Sequence, residues 1–151
     1  MTTVCLVGTP GVDLRRELLS RETARDALAT YDLSAPFDNS LAVETVSLGA
    51  AVSLCNDLNW YLVRFAREAL VREPSISDGE WLSRELATAV RNDAVRPTET
   101  DRLLKVYGVV DGELVEPLFL ARSDDGPLPE YDLRDVDRTV RVRVTESEFG
   151  G

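Results

Sequence analysis

The sequence predicts an α+β fold of two layers, with three or so helices packed on one face of a mixed, mostly antiparallel sheet of about five strands. Three observations carry that expectation. Residues 3–8, Thr-Val-Cys-Leu-Val-Gly, form a continuously apolar run closed by Gly-Thr-Pro-Gly, the pattern of an interior strand. Asp111-Gly112 separates two β-rich segments and is the strongest short hairpin signal in the chain. Between them lie stretches with helical periodicity, so the elements run βαβααβββ. At 151 residues the chain is expected to be a single domain over residues 1–151, long enough to bury about two-thirds of its unfolded surface without disulfides.

After the first strand, Asp13 is placed to cap a helical turn carrying Leu14, Leu18 and Leu19, and Ser20 can cap again before Ala24, Ala27, Leu28 and Tyr31. One helix or two over residues 13–31 both fit. Residues 32–39, with Pro36, read as a loop, and residues 41–48 as a second strand. Residues 49–72 read as one long central helix, apolar over more than half its circumference. Two residues break its pattern. Asn59 falls on the apolar arc, either as a satisfied core amide or as a polar register-setter in a helix–helix or dimer interface. Trp60 falls on the polar arc with Asn56, Arg64 and Arg67, either under a loop or as an exposed interface anchor.

Pro74 ends that helix. Ser77 and Glu80 have capping-box spacing, and Ile76 can pack on Trp81, so a further helix is expected over residues 78–92 with Leu82, Leu86, Ala89 and Val90 inward. Residues 92–100 are linker-like. The hairpin pairs residues 103–110 with 113–121, where Pro117 belongs at an edge or bulge. Residues 123–129 read as an acidic loop. Residues 139–145 alternate valine with Arg141 and Arg143, a strand with one solvated face.

Acidic residues number 27 against 17 basic ones, the net charge is −10, and Lys105 is the only lysine. Strong self-repulsion with weakly hydrated arginine retained points to a chain adapted to molar salt. Such a surface disfavours nucleic acid, leaving only a local arginine patch (Arg15, Arg16, Arg21, Arg25) as a contact; Glu17 and Glu22 at helical spacing make that patch a salt-bridged face first. No stretch reads as a signal peptide, membrane span or lipid anchor, so a cytoplasmic location is expected. Cys5 and Cys55 sit in apolar runs, as in a reducing compartment, and with no histidine no metal site or other cofactor is expected.

No catalytic set emerges. There is no nucleophile elbow, and neither cysteine lies where it would be activated. The turn Gly8-Thr9-Pro10-Gly11 follows a strand and precedes a helix, so its amides, with Arg15 or Arg16, would suit a phosphate ester. The P-loop closing Gly-Lys-Ser/Thr is missing, however, and Asp13 opposes an anion. The Gly150-Gly151 end is expected to be a plain terminus; ubiquitin-like modifiers that share it are shorter and one-helical.

Residues 4–8, residues 17–24 and the run Asn56-Asp57-Leu58-Asn59-Trp60-Tyr61-Leu62-Val63-Arg64-Phe65 resemble a family of short acidic haloarchaeal proteins that is a domain of unknown function. The likeness extends through residues 104–108 and the 145–150 end. It implies a halophilic cytoplasm and carries no activity. The expectation from the residues is a non-enzymatic association domain, a homodimer or adaptor, using Asn56, Asn59, Trp60, Arg64 and Arg67. The alternative is a small-molecule or phosphate-ester binder, possibly an enzyme, using Gly8, Thr9, Gly11, Arg15 and Arg16.

Overall fold

In a computed structural model, which describes residues 1–122 and 136–150, the N-terminal apolar run is β1 (Thr2–Gly8), buried along its whole length. A strand buried on both faces needs partners on both edges. One edge pairs antiparallel with β2 (Ser40–Thr45) and the other with β3 (Ala66–Arg72). The remaining strands are β4 (Trp81–Ser83), β5 (Leu103–Val110), β6 (Glu113–Ala121) and β7 (Arg138–Arg143). Together the seven form one open sheet in the order β2-β1-β3-β4-β7-β5-β6, antiparallel throughout except for the β4–β7 pair.

Five α-helices occur among the described residues: α1 (Leu14–Leu19), α2 (Glu22–Leu28), α3 (Leu48–Asp57), α4 (Asn59–Phe65) and α5 (Arg84–Arg91). Their apolar residues, among them Leu14, Leu28, Val52, Leu58 and Leu86, pack against Val4, Leu6, Val43, Val71 and Leu82 on one face of the sheet. The other face holds a second cluster with Cys5, Leu70, Trp81, Tyr107 and Val142. Among the described residues it is covered by the curl of the sheet and by Phe37 and Phe149 from outside the strands. Glu68 on β3 ion-pairs with Lys105 on β5, although a flat sheet would hold these strands three spacings, or about 14 Å, apart. The Asp38 amide likewise donates to the Gly112 carbonyl at 2.8 Å, joining the β2 side to the β5–β6 turn.

The expected hairpin is present, with Asp111 and Gly112 both at positive φ (52° and 81°) as its tight turn requires. Asp13 caps α1 through the Arg16 amide, and the residue 13–31 region resolves into two helices. The second strand stops at Thr45 because Ser47 turns to cap α3, its hydroxyl accepting from the Ala50 amide.

Two expected helices need correction. Residues 49–72 are not one helix. Asn56, Asp57 and Asn59 are weak helix formers, and Leu58 leaves the helical region (φ −93°, ψ 3°), ending α3 and starting α4. After Phe65 the chain becomes β3, in spite of the helix-favouring sequence Ala-Arg-Glu-Ala-Leu. Between β1 and β4 that segment gains ladder hydrogen bonds on both edges, and such tertiary pairing outweighs a per-residue propensity of a few tenths of a kcal/mol. Residues 78–92 are likewise a strand and then a helix. Ser77 accepts from the Glu80 amide in a turn, and it is Ser83 that caps α5. These two segments raise the strand count from about five to seven. Residues 92–100 carry a single 3-10 turn, Pro97–Glu99. The acidic stretch 123–129 and Gly151 lie outside the described residues. No helix among the described residues is long and apolar enough to cross a membrane.

Candidate functional site

The break at Leu58 decides which side chains reach the surface. Its carbonyl accepts from the amides of Tyr61 and Leu62, starting α4 in a new direction with both of those residues buried. The Tyr61 hydroxyl meets the Thr23 hydroxyl of α2, fixing the inner face of α4. Asn59, Trp60, Val63 and Arg64 therefore share the outer face, since positions i, i+1, i+4 and i+5 lie together on a helix. Asn59, expected on the apolar arc, is exposed: with a new helix beginning there, the periodicity of residues 49–58 no longer applies to it.

Trp60 is 47 % exposed and Val63 71 % exposed, so two large apolar side chains sit one turn apart. The indole is not loose. The Arg64 guanidinium lies 3.8 Å over its ring centroid while also donating to the Trp60 carbonyl at 2.8 Å. Arg21 approaches the same ring at 5.4 Å, and Tyr61 and Phe65 meet it edge-on at 5.1 and 6.2 Å. Cation–π contacts of this kind contribute roughly 0.5–1 kcal/mol at exposed sites and hold the ring in one orientation.

Beside this face runs an open groove of about 500 Å³, lined by Asn56, Val63, Arg67, Glu68, Arg84 and Glu148 among others. Arg84, the first residue of α5, reaches across to α3 and α4. Its two terminal nitrogens donate to the Asn59 and Asn56 amide oxygens at 2.8 and 3.2 Å. Arg67, at the β1–β3 bulge, donates to the Leu114 carbonyl at 3.1 Å and lies 5.5 Å from the Tyr107 ring centroid. The fold thus brings Asn56, Asn59, Trp60, Arg64 and Arg67 to neighbouring positions. Arg84 was not foreseen, because nothing local in Leu-Ser-Arg-Glu signals a residue that spans to a helix 25 positions earlier.

At the wall of the groove, Glu68 accepts from the Tyr107 hydroxyl and pairs with Lys105. Burial, then the charge and hydrogen bond of Glu68, push the Tyr107 phenol above its ordinary range. These groups satisfy one another inside the curl of the sheet.

The Gly8–Gly11 turn is organised by Asn39, which adopts positive φ (53°). Its carboxamide donates to the Val12 and Thr9 carbonyls and accepts from the Leu14 amide at 3.0 Å. The amides of Gly8, Thr9 and Val12 donate to the carbonyls of Asn39, Phe65 and Thr9. Gly8 and Gly11 line a small pocket of about 160 Å³ with Arg67, Asp38 and Glu113, whereas Arg15 and Arg16 point out from α1 and do not line it.

A further cavity of about 930 Å³ opens where β5 begins and β7 ends, lined by the apolar Leu86, Leu103 and Val144. Both arginines of its rim are matched within the chain: Arg102 pairs with Glu146 at 3.4 Å, and Arg122 with Glu80 at 2.8 Å. Arg143, expected on a solvated face, is instead 12 % exposed and also donates to Glu80 at 2.8 Å. Glu80, read from the sequence as a helix-capping residue, is this cluster's buried carboxylate.

Both cysteines are free and buried. Burial pushes the Cys5 thiol up to about 12 and the Cys55 thiol up to about 11, against smaller opposing effects of Arg72 and Arg84. A thiol so raised is almost wholly protonated at mild alkaline pH. Neither is expected to react with a disulfide-exchange reagent in the folded protein at pH about 8, and both should react at once in denaturant; rapid titration of either native thiol would contradict the packing described.

Among the described residues no group of three His, Cys, Asp or Glu side chains is placed to hold a metal ion. No curated protein and no solved structure matches the chain. A family model does match it over residues 2–109, a span that includes the α4 face, Arg84 and Lys105 but ends before β6 and β7. The chain belongs to that family, a family of unknown function (DUF5804).

Proposed function

We propose that this chain acts by protein association, as a homodimer or adaptor in a high-salt cytoplasm, using the outer face of α4. The observation that carries the reading is the exposed pair Trp60 and Val63 on one helix face, with the indole already immobilised between Arg64 and Arg21. A preoriented tryptophan loses little entropy on docking, and tryptophan with arginine is the composition of interface hot spots. The net charge of −10 and the near-exclusive use of arginine support a saline environment. The phosphate-ester reading of Gly8, Thr9 and Gly11 has weaker support, because an anion there would displace Asn39 and the internal partners of the turn amides.

Light scattering in molar KCl, with capture of partners on the tagged protein, tests this. Trp60→Ala combined with Val63→Ser should leave the fold intact and lower the melting temperature only by about 2–8 °C, since Val63 is largely exposed and the half-exposed Trp60 gives up its ring contacts. The same variant should weaken assembly by at least about tenfold, the size of a modest hot-spot loss. A monomeric wild type with no partner, or a variant that assembles like wild type, contradicts the proposal.

A further inference from the structure

The groove beside α4 states which kind of partner surface it lacks. Its carboxylates are supplied from within the chain. Glu68 has Lys105 and Tyr107, Glu148 accepts from the Ser83 hydroxyl at 2.6 Å and the Thr145 amide at 3.0 Å, and Glu85 accepts from the Ser147 hydroxyl at 2.8 Å. Its guanidiniums meet only neutral partners, as Glu85 and Glu148 do, and none has the counter-charge that Glu68 finds in Lys105. Although acidic residues outnumber basic ones by 27 to 17, Arg84 rests on two asparagine oxygens and Arg67 on a main-chain carbonyl. Arg64, next to the groove, also rests on a carbonyl, and none of the three pairs with a carboxylate among the described residues.

Neutral acceptors offer a guanidinium no counter-charge, and the two terminal nitrogens of Arg84 present the planar fork that a carboxylate fits. We infer that this groove receives an aspartate- or glutamate-bearing segment of the partner protein, its carboxylate replacing Asn56 and Asn59 on Arg84 while its apolar neighbours cover Val63 and Trp60. The inference rests on the association reading above and adds the chemistry of the partner to it. A polyphosphate chain such as RNA fits less well: Glu68, Glu85 and Glu148 line the same groove, and the net charge of −10 repels an extended polyanion. A single carboxylate set among apolar groups meets less of that repulsion than an extended polyanion does.

Fluorescence anisotropy with a short labelled peptide carrying glutamates between leucines, beside its glutamine twin, tests the inference on the full chain. The glutamate peptide is expected to bind about tenfold more tightly than the twin, the scale of one charge-assisted hydrogen-bonded pair. Arg84→Gln should remove that preference and Arg84→Lys retain part of it, with Arg15→Gln on α1, which does not line the groove, as an unaffected control.

Asn59→Asp provides a discriminating variant. It would give Arg84 a carboxylate from within, so it should raise the melting temperature and abolish the peptide preference together; a merely structural Arg84 would yield the first effect without the second. No preference for glutamate, a preference untouched by Arg84→Gln, or tighter binding of a labelled single-stranded RNA each overturns the inference. Assembly that is lost in Trp60→Ala but indifferent to Arg84→Gln overturns it while leaving the association reading intact. Assembly indifferent to both removes that reading as well.

Discussion

Glu80→Gln is expected to cost roughly 3 kcal/mol of stability and to lower the melting temperature by about 6–12 °C. The Glu80 side chain is 9 % exposed and holds Arg122 and Arg143 at 2.8 Å each, with Arg141 at 3.6 Å. Arg143 also donates to the Thr100 hydroxyl, and Arg122 to the Asp101 carbonyl. One carboxylate therefore ties the lead-in to β4 to the ends of β6 and β7 and to the turn before β5. A glutamine of the same shape keeps a neutral acceptor but leaves partly buried guanidiniums without their counter-charge, the expensive way to break a buried pair.

The same residue sets an acid limb. Burial alone would raise the Glu80 carboxyl, but hydrogen bonds from Arg122 and Arg143, and then their charges, outweigh it and hold the group below its ordinary value of 4.5. A carboxyl depressed in the folded state stabilises fully above that ordinary value and progressively less as pH falls through the folded one. The gap between wild type and Glu80→Gln should thus be full at neutral pH and shrink well below pH 4.5. Urea midpoints across that range measure it. A gap independent of pH would mean that Glu80 is not the ionised hub of the cluster.

The second large effect is expected at Gly8. A Cβ there would lie 2.5 Å from the Asn39 side-chain nitrogen and 2.8 Å from its carboxamide carbon and oxygen. Asn39 has no easy retreat, since its carboxamide bonds the Thr9 and Val12 carbonyls and the Leu14 amide. Gly8→Ala should therefore cost about 2–3 kcal/mol, from overpacking together with displaced hydrogen bonds. Asn39→Gly removes the obstacle and suits the positive φ at that position, at about 1–2 kcal/mol for the bonds lost. In the double variant the clash is gone, so the combined cost should fall short of the sum by most of the Gly8→Ala cost, about 2 kcal/mol. Strict additivity in denaturant titrations would show that Gly8 and Asn39 do not meet.

The parts of this fold that were legible in advance are those with local signatures. Thr2–Gly8, the Asp111-Gly112 hairpin and the valine alternation of β7 each announce a strand over a few residues, and Asp13 announces the start of α1. Ala66–Arg72 could not be read the same way. Its residues favour helix, and the strand partner that overrides them, β1, lies some sixty positions earlier. Trp81–Ser83 is too short to show a period at all. Asn59 and Trp60 drew attention by breaking a continuous helical pattern; their exposure comes instead from the restart of the helix at Leu58. Arg84 and Glu80 owe their roles to contacts across the fold, and no spacing in the sequence encodes those.

The most direct test of association through α4 uses Trp60 as its own reporter. Trp81→Phe leaves Trp60 as the only tryptophan, because Trp81 is the other one and is buried against Arg72. Acrylamide quenching of Trp60, followed in molar KCl from dilute to concentrated protein or with a captured partner, should fall as the assembled mass appears, with emission moving to the blue. Quenching that stays constant while the mass rises would place the interface elsewhere and contradict the account.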